Sequence, residues 1–157
     1  MKTSLTLGFI ICMAATIGFA QLKTVSYKDE KQVLNGFAMA PLKANKEKPG
    51  ILILPAWKGI DNHAKDSAEK LGKLGYYAFV ADIYGEGHYP KNTEEAGKQA
   101  GYYKKNIKEY QKRISLALEQ LIKSGANPEK IVVIGYCFGG TGALEAARAG
   151  LKVKGVV

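Results

Sequence analysis

Three short stretches of this chain are apolar almost without interruption: Ile51-Leu-Ile-Leu54, Tyr76-Tyr-Ala-Phe-Val-Ala81 and Lys130-Ile-Val-Val-Ile-Gly135. A strand with one wet face alternates polar and apolar residues, so an unbroken run belongs to a strand covered on both faces, as in parallel sheets. Helical patterns separate the runs. Between the first two, Ala64, Ala68, Leu71 and Gly75 fall on one face of a helix over Ala64 to Leu74, with Lys65, Asp66, Glu69, Lys70 and Lys73 on the other. Between the second and third, a helix opening at Thr93-Glu-Glu continues through Ile107, Tyr110, Ile114, Ala117, Leu118, Leu121 and Ile122 and is stopped by Gly125-Ala-Asn-Pro128. The spacing predicts one long amphipathic helix there. Gly139 to Ala149 reads as a further helix rich in small residues, and Lys152 to Val157 as a fourth strand. Ahead of these units, Lys23 to Tyr27 and Gln32 to Ala40 alternate, as two antiparallel strands joined through Lys28-Asp-Glu-Lys31 would. The sum is an α/β fold: a mostly parallel sheet with helices on both faces.

The first twenty residues carry one charge, Lys2, then an apolar run from Leu5 to Phe19 ending in Gly18-Phe-Ala20. That is the pattern of a cleavable secretory signal, and it is shorter than the roughly 20 apolar residues of a membrane span. Ile11 before Cys12 argues against lipidation. The expected organisation is therefore a signal peptide over 1–20 and one domain over 21–157, secreted or periplasmic, with no membrane association after cleavage. Processing would remove Cys12 and leave Cys137 as the sole thiol, in a compartment where cysteines usually pair. Burial as a small core residue is the bland explanation of such a thiol; its surroundings supply another.

Cys137 lies in Gly135-Tyr-Cys-Phe-Gly139, at the point where a strand runs into a helix. This is the nucleophile elbow Gly-x-Ser-x-Gly with Cys in the nucleophile slot. The turn is so tight that Gly135 and Gly139 must lack side chains. A thiol at the first turn of a helix faces unpaired N–H groups and the positive end of the dipole, which favour an anion. The Phe138 N–H points at the same anion site. A second oxyanion donor is expected from the loop after the first apolar strand, Pro55-Ala-Trp57-Lys-Gly59, with Trp57 N–H the best choice; simple packing of Trp57 on the domain's upper face is the competing reading. Thr141 stands where a phosphate-binding loop needs Lys, and no Gly-x-Gly-x-x-Gly surrounds the elbow, which disfavours nucleotides. The formal charge of +9 comes from Lys residues spread along the chain, with only Arg113 and Arg148 as arginines. A solvated surface explains it better than nucleic-acid binding.

The elbow, the segment Ile-Leu-Pro-Ala-Trp-Lys-Gly and the segment Tyr-Tyr-Ala-Phe-Val-Ala-Asp-Ile-Tyr-Gly-Glu-Gly together resemble the dienelactone hydrolase family of α/β-hydrolases, over about residues 30 to 157. The resemblance implies an α/β-hydrolase fold, a Cys137 nucleophile acting on a small-molecule ester or lactone, oxyanion donors at Trp57 and Phe138, and no metal or organic cofactor. It also implies an Asp and then a His after the nucleophile. Residues 138–157 contain neither, so the chain is expected to be an amino-terminal portion, inactive in efficient turnover by itself. Two further departures stand out: Ala56 replaces a family Glu that contacts the thiol, and no arginine follows Asp82 to hold a substrate carboxylate. His63 and His88 precede the nucleophile and suit a surface or pocket-rim role. Asp82 suits a loop anchor and Glu86 an exposed charge. A non-catalytic binding protein using the same pocket is the alternative reading. A thiol-redox protein is weaker, for want of a second Cys nearby, and nothing in the sequence specifies an oligomer.

Overall fold

The computed structural model describes residues 21–43 and 45–157; the expected signal peptide at 1–20 lies outside them. The chain opens with a hairpin, β1 (Lys23–Asp29) and β2 (Gln32–Met39), paired in antiparallel register from Lys23 against Ala38 to Asp29 against Gln32. Alternating units follow: β3 (Gly50–Leu54), α1 (Asn62–Lys73), β4 (Tyr77–Val80), α2 (Thr93–Lys105), α3 (Ile107–Lys123), β5 (Ile131–Gly135), α4 (Phe138–Arg148) and β6 (Gly155–Val156). The six strands form one sheet in the order β1-β2-β4-β3-β5-β6. The β2–β4 contact is antiparallel, and β4–β3, β3–β5 and β5–β6 are parallel.

The first two apolar runs are covered on both sides, and in the third Val132 and Ile134 are only half-buried. Leu52, Leu54, Phe79 and Val133 face one core with Tyr110, Ile114, Leu121, Phe138 and Ala143 from α3 and α4. Ile51, Ile53, Ala78 and Val80 face the other, where α1 contributes Ala64 and Ala68. Successive strand residues point to opposite faces, so each run feeds two cores at once.

Local signals set the helix ends. The Asp61 carboxylate accepts the Ala64 N–H at 2.9 Å to start α1. At its other end Tyr76 N–H donates to Leu71 and Gly75 N–H to Gly72, the double bond of a Schellman stop, with Gly75 at a φ of +94°. The start of the second helix is capped by Asn92, one residue before Thr93, through its side chain to Glu95 N–H.

The single long helix expected from Thr93 onward is two helices, broken at Asn106, whose φ is −107° and ψ 61°. Asn106 donates to the Tyr102 carbonyl from both its backbone and its side chain, each at 2.9 Å. A short amide that satisfies the last carbonyls of a helix competes with the next turn. The apolar stripe hides the break, because buried Ala96, Ala100, Tyr103, Tyr110, Ile114 and Ala117 keep helical spacing straight across it.

Candidate functional site

β3 and β5 are adjacent, with Leu54 opposite Gly135 at their carboxyl ends. The loops that leave them therefore start side by side, and they carry Trp57 and Cys137.

At the end of β5 the chain turns into α4 within two residues. Tyr136 N–H still donates to Leu54 of β3 at 3.1 Å, while Gly139 N–H already donates to Tyr136 at 2.8 Å. Cys137 sits between them at a φ of 54° and a ψ of −108°. An L residue in that region is strained, typically by about 1–3 kcal/mol, and persists only where its surroundings dictate it. The surroundings are two glycines without room for a side chain. A Cβ on Gly135 would lie 2.0 Å from the Gly139 carbonyl oxygen, and a Cβ on Gly139 would lie 2.1 Å from the Leu54 carbonyl oxygen.

Cys137 is exposed, not the buried core residue of the bland reading. It occupies the N-cap position of α4 without using its side chain as a cap, and among the described residues no hydrogen bond engages its Sγ. Phe138 is buried, and its N–H lies in the first turn with no acceptor among the described residues. Its ring stacks on Tyr110, with centroids 4.8 Å apart and planes inclined by 2°, and on Tyr84 at 6.0 Å.

Trp57 is half-buried and packs against the α3/α4 core, so the packing role is real. Its N–H has no acceptor among the described residues, in a turn closed by Gly59 N–H to Ala56 at 2.9 Å. Its carbonyl accepts the Tyr84 hydroxyl at 2.6 Å. Burial pushes the Tyr84 hydroxyl well above the ordinary tyrosine range, with Tyr103 and Cys137 adding to the shift, so it stays a donor.

The other candidates take supporting places. Asp82 is a loop anchor: buried, it accepts Asn35 N–H at 2.8 Å, Gly85 N–H at 2.9 Å and the Tyr89 hydroxyl at 2.7 Å. Burial and the bond to Asp82 push Tyr89 up to about 12. His63 is exposed and meets the Tyr136 ring edge-on at 4.6 Å, beside the elbow, while Tyr136 reaches Ser67 of α1 at 3.2 Å. His88 and Glu86 are exposed on the loop after Asp82. Among the described residues no group of three or more His, Cys, Asp or Glu is placed to hold a metal ion, and no helix is long and apolar enough to cross a membrane.

Sequence reasoning missed the two tyrosines behind the site and the ion pair at its flank. Arg113, on the buried face of α3, donates through Nε to Asp29 at 2.6 Å and through Nη1 to the Ile83 carbonyl at 3.3 Å. It thereby ties the hairpin to the start of the Asp82 loop. Its position three residues after Tyr110 and one before Ile114, within the apolar stripe, was the available signal.

A mixed sheet with helices on both faces and a strained strand-to-helix turn at the carboxyl end of a central strand defines an α/β-hydrolase fold. The dienelactone hydrolase family model matches residues 34–157, and the chain belongs to that family. It is 29% identical over 129 residues to a "Putative carboxymethylenebutenolidase" of Aquifex aeolicus (strain VF5), covering 78% of this chain and 54% of that protein. It is 30% identical over 101 residues to a "Probable 2-oxo-3-(5-oxofuran-2-ylidene)propanoate lactonase" of Bradyrhizobium sp, covering 64% of this chain and 41% of that one. The chain thus spans about half the length of the curated relatives it matches. Among solved structures it resembles a dienelactone hydrolase-like promiscuous phosphotriesterase from metagenomic libraries, with a TM-score of 0.81 at 26% identity over 88% of this chain and 58% of that one.

Proposed function

We propose that the protein is a hydrolase of carboxylic esters or lactones in which Cys137 is the nucleophile. The observation that carries this reading is the backbone of Cys137: a side-chain-bearing residue held at positive φ, between two glycines that admit no Cβ, with its thiol presented to solvent. Strain of this kind is kept where it serves a function. In the reaction the Cys137 thiolate attacks the carbonyl carbon and the carbonyl oxygen becomes an oxyanion between the Phe138 and Trp57 N–H groups. The C–O bond to the leaving group then breaks to give a thioester, which water hydrolyses. The relatives' names support a lactone among the substrates.

Proton transfer needs a base. His63 and His88 are the only histidines of the chain, and among the described residues neither is hydrogen-bonded to the thiol. In an α/β-hydrolase the acid and the His follow the nucleophile in chain order, and residues 138–157 hold neither an Asp nor a His. Residues 1–20 act as a cleaved signal that delivers the protein to the periplasm or outside the cell; a mature protein whose N-terminus is Met1 would refute that part.

The test is labelling of the full-length protein by an activated aryl ester. Stoichiometric p-nitrophenolate release and a covalent acyl group mapped to Cys137 are expected, with loss of both in Cys137→Ala. A Cys137→Ala variant that releases p-nitrophenolate at the parent rate would overturn the assignment. The unengaged Sγ favours one second reading, a binding protein on the same scaffold. That reading requires the full-length protein to bind a lactone without cleaving it.

A further inference from the structure

The two residues offered as oxyanion donors are held from behind by two tyrosine hydroxyls. Tyr84 donates to the Trp57 carbonyl at 2.6 Å and Tyr110 donates to the Phe138 carbonyl at 3.2 Å. Each hydroxyl grips the peptide that follows the donor N–H of the same residue.

The two grips differ in what else supports their target. Phe138 opens α4, where Gly142 has no side chain and lets the Tyr110 hydroxyl lie against the helix: a Cβ there would be 2.4 Å from that oxygen. The helix itself fixes the Phe138 peptide. Trp57 lies in a turn closed by one bond, Gly59 N–H to Ala56, and no regular element extends through it. The Tyr84 ring lies against this turn, 3.5 Å from where a Gly59 Cβ would be, and stacks on the Phe138 ring with centroids 6.0 Å apart. Tyr84 therefore touches both halves of the anion site: by a hydrogen bond the half on the loop after β3, by ring packing the half on α4. Only 2% of it is exposed.

We propose that Tyr84 is a positioning residue that sets the spacing between the Trp57 and Phe138 N–H groups, and so tunes the oxyanion hole of this chain. The inference rests on the reading of Cys137 as the nucleophile. An oxyanion donor works only if it is fixed before charge develops, and removing one outright costs about a hundredfold to a thousandfold in rate. Loosening one, with the residue retained, is expected to cost about tenfold.

The experiment compares two reactions of the same thiol. Acylation by p-nitrophenyl acetate passes through a tetrahedral oxyanion, whereas alkylation by iodoacetamide is a displacement at a methylene carbon that generates no oxyanion at that site. Tyr84→Phe keeps the ring and deletes the hydroxyl. The expected result is an acylation rate down about tenfold with the alkylation rate within about twofold of the parent. Tyr110→Phe, whose target is also held by the helix, is expected to change acylation less than Tyr84→Phe. Unchanged acylation in Tyr84→Phe would overturn the proposal, and so would an equal fall in both reactions, which would place the hydroxyl's effect on the thiol or the fold. A full-length parent protein that is alkylated at Cys137 but never acylated would refute the nucleophile reading itself, and this proposal with it. That outcome is distinct because it appears before any variant is made.

Discussion

Replacing Gly135 by Ala tests whether the elbow is held by steric exclusion. The new Cβ would stand 2.0 Å from the Gly139 carbonyl oxygen, 2.3 Å from its carbon and 2.6 Å from Gly140 nitrogen, all backbone atoms. Ordinary carbon–oxygen contact is about 3.3 Å, so relief requires β5 and the first turn of α4 to separate by more than about 1 Å. The helix cannot simply slide along the sheet, because Gly139 is itself pressed against Leu54 and Pro55 carbonyls of the neighbouring strand and loop. It must lift, taking buried Phe138, Ala143 and Ala146 with it. Overpacking with side-chain relief costs about 1–3 kcal/mol, and backbone against backbone belongs at or beyond the upper end, about 3 kcal/mol or more. Gly140→Ala is the control, five residues along the same turn. Its Cβ would meet nothing nearer than Gly135 oxygen at 3.6 Å, and within a helix Ala is favoured over Gly by up to about 1 kcal/mol. Urea unfolding followed by circular dichroism should lower the midpoint for Gly135→Ala and leave it equal or raised for Gly140→Ala. Stability within about 0.5 kcal/mol of the parent for Gly135→Ala would refute the argument, since surface changes alone produce that much.

Three further outcomes are expected. Cys137→Gly removes the strain of a φ of 54° and should raise stability by about 1 kcal/mol, net of the entropy that Gly adds to the unfolded chain, while abolishing ester labelling; a destabilised variant would contradict it. Arg113→Met should cost about 1.5–3 kcal/mol in urea unfolding, because it takes from the buried Asp29 carboxylate one of two cationic partners and leaves Lys112 at 2.7 Å as the other, whereas joint replacement of Asp29 and Arg113 by apolar residues should recover most of that loss. Burial acts to raise the Asp29 pKa, but hydrogen bonds from Lys112 and Arg113 outweigh it and hold the carboxyl below its ordinary value. A depressed carboxyl stabilises the fold above its unfolded pKa of about 3.9 and loses that contribution as pH falls through the folded value. The acid-induced fall in urea midpoint should therefore be shallower in Asp29→Asn, and an identical pH profile would remove Asp29 from the account.

What the sequence made legible was what periodicity and turn chemistry encode locally. The runs at Ile51 and Tyr76 are strands buried on both faces because nothing polar interrupts them, the run at Ile131 is buried on one face and half-buried on the other, and the alternating hairpin residues lie where alternation puts them. Gly135 and Gly139 could be assigned to the elbow because a close approach leaves a residue-type signature. Periodicity was silent on the break at Asn106, since the stripe stays in phase across it. The roles of Tyr84 and Tyr110 were equally hidden. Each hydroxyl meets a carbonyl 27 or 28 residues away in sequence, and carbonyls are the same on every residue. The Asp29–Arg113 pair spans 84 residues and needed the hairpin to be folded over α3.

The order of strands explains why the site stands where it does. β3 and β5 are neighbours although α1, β4, α2 and α3 intervene in sequence, and their register closes with Leu54 opposite Gly135. Both strands end in the same row of the sheet, so the turn carrying Trp57 and the turn carrying Cys137 leave it together. One hydrogen bond and one close contact across the row then fix the offset: Tyr136 N–H reaches back to Leu54, and Gly139 is pressed on the Leu54 carbonyl so closely that no side chain fits. The carbonyl of Leu54 is thus the shared reference for both halves of the proposed anion site. A slip of one residue in the β3–β5 pairing would turn every strand side chain to the wrong core. It would also separate Trp57 from Phe138 by about 3.3 Å along the strand, beyond what any rotamer could restore. The same hydrophobic pattern that selects the register therefore sets the spacing on which the proposed chemistry depends.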